Sequence, residues 1–157
     1  MENWISFLYE NGGLIAGALA VAIPTICGGI GSTIGLGITS EAGAGLTAEE
    51  PEKFGQVLIL ELLSATQGLY GFVISFMIFI QLSGNMDLAQ GLYLLMAALP
   101  ISFTAIWCGK WQGRGASAAM QILAKKPEHV TKGIVYVAMM ETYGILGFVI
   151  SFLLVMR

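Results

Sequence analysis

Long apolar stretches, separated by short polar segments, dominate the chain. Residues 14–45, 54–82 and 130–156 are long stretches of this kind, and a fourth, 88–123, is interrupted by Lys110 and Arg114. At about 1.5 Å of rise per residue, each is long enough as a helix to cross a hydrocarbon core of roughly 30 Å. The pattern predicts an all-α membrane protein with four transmembrane helices and three short loops.

Composition strengthens this prediction and narrows the possible functions. Of the 157 residues, 56% are hydrophobic and only 11% are charged, and the mean hydropathy is +0.79. Four spans leave no room for a soluble catalytic domain. The net charge of -3 is too small and too dispersed to suggest a nucleic-acid partner. Cys27 and Cys108 both fall within spans, where we expect packing residues rather than a disulfide.

The second half of the sequence repeats the first. A shift of 76 positions, without gaps, aligns the segment that starts at Pro51 with the one that starts at Pro127, and GFVISF matches residue for residue. The same shift pairs Pro24 with Pro100. The sequence therefore predicts a duplicated helical hairpin, with residues 1–82 as the first hairpin and 83–157 as the second. Because each hairpin begins and ends on the same side, the copies run parallel.

Small and bulky residues are distributed unevenly between the predicted helices. Glycines crowd the first helix, where GIGSTIG has a small-xxx-small spacing that allows close backbone approach, and they recur in the third. The second and fourth helices carry several phenylalanines instead. A narrow-walled ring of many copies, with the glycine-rich helices inside, would explain this difference. Ordinary packing within one four-helix monomer would explain it as well.

The charges in the loops predict the orientation. The loops around 46–53 and 124–131 are rich in lysine, which favours the cytoplasmic side, so both termini should lie outside. The lysines are Lys53, Lys125, Lys126 and Lys132, against Glu2, Glu10, Asp87 and Arg157 at the opposite side.

A single carboxylate, Glu141, interrupts the last apolar stretch. An ionised carboxylate at membrane depth is costly unless it is protonated, paired or bound to a cation. Counting from the cytoplasmic loops places Gln112, Thr66 and Gln67 at the same depth. A carboxylate, two amide oxygens and a hydroxyl are hard donors, which suit a hard cation rather than zinc or copper.

Two further groups complete this candidate site. A backbone carbonyl near Leu63 could add another oxygen, and Tyr70, one turn after Thr66, could donate a hydrogen bond that holds the carboxylate in place. The alternative is a polar cluster that only locks the helices together.

Four motifs resemble those of one family. LLSATQGLYGF, WQGRG, ILAKKPEH and METYGILGFVISF are similar to segments of the membrane-ring proteolipids, or K subunits, of bacterial V-type rotary ATPases, above all the sodium-pumping members. The resemblance covers nearly the whole chain. It implies a non-catalytic rotor-ring subunit whose sodium ligands are the carbonyl of Leu63 and the side chains of Thr66, Gln67, Gln112 and Glu141. It also assigns Tyr70 a supporting role.

The resemblance implies partners and a location too. It predicts a homo-oligomeric ring in the plasma membrane, a stator membrane subunit with a basic residue facing Glu141, central-stalk subunits, and lipid. Ala65 is the repeat partner of Glu141, so each copy would offer one ion-carrying carboxylate. A ring that carries H⁺ instead of Na⁺ is the alternative within the family. A small four-helix channel or secondary transporter is the alternative from another class.

Two charged residues depart from the family pattern. Glu61 stands where the sodium-pumping relatives carry an uncharged amide; it could add a second titrating group that changes the stoichiometry, but we expect it to be protonated or paired. Lys110 is about 200° around the helix from Gln112 and should face away from the ion. With Trp107, Trp111 and Arg114 it forms an aromatic and basic stripe that would face the central pore of a ring.

Overall fold

The computed structural model describes residues 3–157, which are almost entirely helical; Glu2 lies outside this range. Single 3₁₀ turns, Pro51–Lys53 and Pro127–His129, precede the second and the last helix. The all-α prediction is confirmed for the described residues. The five helices are α1 (Trp4–Glu49), α2 (Phe54–Leu63), α3 (Thr66–Phe79), α4 (Leu88–Lys125) and α5 (Val130–Met156).

Three segments of the described chain are long and apolar enough to cross a membrane: α1, α4, and Pro127–Met156. The pair α2 and α3 meets this criterion only as a bent unit, with an angle of 42° between its two parts. The prediction of one continuous helix over 54–82 is therefore wrong, since the helix breaks at Ser64 and Ala65 and ends at Phe79. At this break the hydroxyl of Ser32, on α1, accepts a hydrogen bond from the amide of Gly68 and donates one to the carbonyl of Ala65.

Helices α1 and α4 pack against each other backbone to backbone. A Cβ atom placed on Gly113 would lie 2.5 Å from the Cα atom of Gly35, and Gly31 meets Gly109 in the same way. Only small residues permit such an approach. The small-xxx-small spacing of the first helix, Gly31 to Gly35, therefore packs within the subunit. Other glycines of α1, such as Gly37, face open space.

The repeat is visible in the hydrogen bonds that accompany the two helix prolines. Proline lacks an N–H and crowds the preceding turn, which disturbs the local hydrogen-bond ladder. The amide that follows Pro24 donates to Ser75 Oγ at 3.1 Å, and the amide that follows Pro100 donates to Ser151 Oγ, also at 3.1 Å. In each hairpin, a serine hydroxyl on the second arm thus accepts a hydrogen bond from the amide that follows the proline of the first arm.

The two proline turns lie together at one end of the bundle. Lys53 Nζ donates to the carbonyl of Ala124 at 3.2 Å, which joins the first turn to the end of α4. At the opposite end, Gln81 Nε2 donates to the carbonyl of Val155 at 3.0 Å. Cys27 and Cys108 are both free thiols, as their positions in the spans predict.

Candidate functional site

Glu141 lies on α5 and points toward α3 and α4. Thr66 Oγ1 lies 2.9 Å from Glu141 Oε2, and Gln112 Nε2 donates to the same oxygen. The other oxygen, Glu141 Oε1, is buried without a hydrogen-bond partner. The two donors therefore hold one side of the carboxylate and leave the other side free to bind something else.

Two glutamine side chains extend the cluster into the interior. Gln67 and Gln112 are both 0% exposed, and Gln67 Nε2 donates to Gln112 Oε1 at 3.0 Å. Gln67 Oε1 is buried without a partner, like Glu141 Oε1. Gln112 Oε1 accepts one bond and keeps a second lone pair. A row of hydrogen-bonded groups thus links α3, α4 and α5, with oxygen acceptors left over.

The helix break brings a backbone oxygen to the same place. The carbonyl of Leu63 lies in the last turn of α2, where helix carbonyls lose their intrahelical partners. Thr66 Oγ1 is 3.2 Å from that carbonyl and 2.9 Å from Glu141 Oε2, so its single proton is shared between them. The structure therefore brings together the residues predicted from sequence: Leu63, Thr66, Gln67, Gln112 and Glu141.

Tyr70, the predicted supporting residue, lies beside this cluster. Its side chain is next to Glu141 and Thr66, and its ring packs on Phe148 with the centroids 5.3 Å apart. Within the described residues, the hydrogen bonds to Glu141 come from Thr66 and Gln112. The hydrogen bond from Tyr70 that would hold the carboxylate in place stays a prediction.

The basic residues of α4 lie apart from the carboxylate. Lys110 Nζ lies 5.6 Å from the centroid of the Trp107 ring, and the Arg114 guanidinium lies 4.9 Å from that of Trp111. The aromatic and basic stripe is therefore present. No ion pair to Glu141 occurs between residues 3 and 157, so its charge is not neutralised from within the subunit.

Glu61 lies against α1 rather than in the cluster. A Cβ atom on Gly43 would be 2.9 Å from Glu61 Oε1, so the carboxyl group fits over a glycine. In the part of the chain that the structure describes, no basic side chain pairs with Glu61. Pairing, one of the two roles expected for it, is therefore not found within the subunit.

Gly144 shapes the site, and the sequence reasoning missed it. A Cβ atom at this position would lie 2.5 Å from Gln67 Oε1 and 2.7 Å from Gln67 Nε2. Only a residue without a side chain leaves room for the amide. One signal could have identified it: Gly144 is the partner of Gly68 under the shift of 76, so both hairpins have glycine at this point.

Comparison with known proteins gives a consistent result. The family described as the C subunit of ATP synthase matches the chain twice, over residues 19–78 and 95–154. The V-type sodium ATPase subunit K of Enterococcus hirae is 61% identical over 148 residues, which are 94% of this chain and 95% of that protein. The A-type ATP synthase subunit K of Methanocaldococcus jannaschii is 38% identical over 144 residues, covering 90% of this chain and 62% of that protein.

Proposed function

The chain belongs to the family of the ATP synthase C subunit, and from this membership we propose that it is a rotor-ring subunit of a V-type ATPase. In this role it carries Na⁺ across the membrane by reversible binding at Glu141. The chain is a non-catalytic membrane subunit, and ATP is hydrolysed or synthesised on other subunits. The resemblance to a sodium ATPase subunit K over 94% of the chain supports sodium as the cargo.

One observation carries the proposal: two buried oxygens of the cluster, Glu141 Oε1 and Gln67 Oε1, have no hydrogen-bond donor. Buried acceptors are normally satisfied, and leaving one unpaired costs about 1–3 kcal/mol. A sodium ion between them would satisfy both and neutralise the carboxylate. Hard oxygen donors of this kind are the ligands that hard cations prefer.

Five oxygens form the proposed ligand set. Glu141 supplies the charge, and Gln67 and Gln112 supply amide oxygens, the latter through its second lone pair. Thr66 Oγ1 and the carbonyl of Leu63 complete the set at the helix break. Tyr70 supports the carboxylate from the side, by packing or by a hydrogen bond formed in the ring.

The arrangement in the membrane follows from the same proposal. The bent pair α2 and α3 crosses as one span, so the chain has four spans in two hairpins, residues 1–82 and 83–157. Many copies form a ring in the plasma membrane, in contact with lipid. A stator subunit presents a basic residue to Glu141, and central-stalk subunits bind the ring. The loops around 46–53 and 124–131 lie in the cytoplasm, with both termini outside.

A proton is the second candidate cargo. Thr66 and Gln112 both donate to Glu141 Oε2 and leave Oε1 free, and a proton could occupy that oxygen. In a ring that carries protons, the remaining oxygens would serve only as hydrogen-bond partners. Removal of an amide oxygen would then leave the transported ion's affinity almost unchanged.

The test combines assembly with sodium binding. We expect native mass measurement of detergent-purified material to give a large multiple of the subunit mass of 16.7 kDa, with one sodium site per subunit. Gln112→Leu should weaken sodium binding, and Glu141→Ala should abolish it. A monomer or small oligomer would favour a channel or transporter. A ring that binds no sodium would carry protons instead.

A further inference from the structure

We infer that Ser32, on α1, is a positioning residue for the ion site because it holds open the helix break that presents Leu63, Thr66 and Gln67. This inference rests on the proposed sodium function, since it concerns the geometry of the same site. Ser32 touches neither Glu141 nor Gln112 through any hydrogen bond. It acts through the backbone of the neighbouring helix.

The hydroxyl of Ser32 takes over the hydrogen bonding that the break removes. In a continuous α-helix, the amide of Gly68 would donate to the carbonyl of Ser64. Here Gly68 N donates to Ser32 Oγ at 2.8 Å, and Ser32 Oγ donates to the carbonyl of Ala65 at 2.9 Å. Ser32 is only 7% exposed, so water cannot easily replace it.

The local backbone confirms that the ladder is interrupted at this point. Ser64 N donates to the carbonyl of Glu61 at 3.0 Å, and Ala65 N donates to that of Leu62 at 3.1 Å. These are i to i−3 bonds, which tighten the end of a helix. The next carbonyl, that of Leu63, accepts from the side chain of Thr66 and lies within the proposed ligand set.

The second hairpin provides an internal comparison. Cys108 occupies the position that corresponds to Ser32 under the shift of 76, and its Sγ lies 3.7 Å from the carbonyl of Met140. A thiol is a weak donor and a weak acceptor. The corresponding helix, α5, runs without a break from Val130 to Met156, through Glu141. The hydroxyl therefore accompanies the broken helix, and the thiol accompanies the continuous one.

The two hairpins thus contribute different groups to one site. The second supplies a carboxylate from a straight helix, and the first supplies backbone and side-chain oxygens from a broken one. Without the hydroxyl, the amide of Gly68 is free to return to the carbonyl of Ser64. The backbone around Leu63 would then turn back into a helical ladder, and the sodium ion would lose part of its shell.

The experiment compares Ser32→Ala and Ser32→Cys with the wild-type ring by equilibrium sodium binding. We expect Ser32→Ala to weaken sodium affinity tenfold or more and Ser32→Cys to lie in between. The adjacent hydroxyl on the exposed face of α1 supplies the control, since Thr33→Ala should change affinity less than twofold.

Hydrogen exchange at the Gly68 amide gives a readout independent of binding, and its rate should change in Ser32→Ala. If the wild-type ring binds no sodium, the proposed function fails before this inference is reached. If the wild-type ring binds sodium and the affinity of Ser32→Ala stays within twofold, the inference alone is overturned. Should Ser32→Ala fail to assemble, an unchanged affinity in Ser32→Cys would overturn it equally.

Discussion

Gly144→Ala should weaken sodium binding without changing any ligand. The added methyl carbon would lie 2.5 Å from Gln67 Oε1, whereas ordinary contact begins at 3.4 Å, so the amide must retreat by about 0.9 Å. Gln67 is fully buried, and its bond to Gln112 is already 3.0 Å long. The displacement should therefore break that bond and remove the Gln67 oxygen from the ion.

The cost can be estimated from the loss of one buried polar interaction. Such a loss is worth about 1–3 kcal/mol, and about 1.4 kcal/mol corresponds to a factor of ten in affinity. We therefore expect the sodium dissociation constant to rise roughly 5- to 150-fold. Equilibrium binding of radioactive sodium to detergent-purified rings at mildly alkaline pH would measure it.

Two comparisons separate this effect from general damage to packing. Gly147 lies one turn further along α5, where a Cβ atom would meet the side chain of Thr104 instead of the site. Gly147→Ala should therefore lower stability but leave sodium affinity within a few-fold. In a Gln67→Ala background, Gly144→Ala should have little further effect. The reasoning is refuted if Gly144→Ala alone leaves the dissociation constant within twofold.

Other predictions concern residues outside the ligand set. Lys110→Leu should leave sodium affinity within a few-fold, because Lys110 lies over Trp107; a loss by orders of magnitude in the binding assay would mean that it approaches Glu141. Glu61→Gln should likewise leave sodium binding almost unchanged, since the carboxyl group packs over Gly43; a change in the number of sodium ions per subunit would contradict this. Gly113→Ala should force α1 and α4 apart, cost about 1–3 kcal/mol and lower the thermal stability of the purified ring.

The helical class and most of the site could be predicted from sequence for identifiable reasons. Helices of the required length follow from hydropathy, because the lipid core demands about 20 apolar residues. The grouping of Glu141 with Gln112 and Thr66 could be predicted from depth. Each helical residue adds the same rise, so residues at similar distances along their helices from the cytoplasmic loops lie at similar depth. Hydrogen bonds between these three side chains agree with that counting.

The helix break could not be predicted in the same way. Neither proline nor glycine occupies Ser64 or Ala65, so the sequence there favours a continuous helix. The break depends on a tertiary contact from Ser32, 33 residues earlier in the chain from Ala65. The role of Gly144 was hidden for a similar reason, because the atom it accommodates belongs to another helix.

The most direct test of the central claim is whether sodium and protons exclude each other at Glu141. A carboxyl-reactive carbodiimide attacks the protonated acid, and metal binding requires the deprotonated carboxylate. We predict that labelling of Glu141 in the intact ring is faster at low pH and slower when sodium is added, with potassium protecting poorly. Saturating sodium at mildly alkaline pH that gave no protection of Glu141 would contradict the sodium assignment and leave the proton as the ion carried.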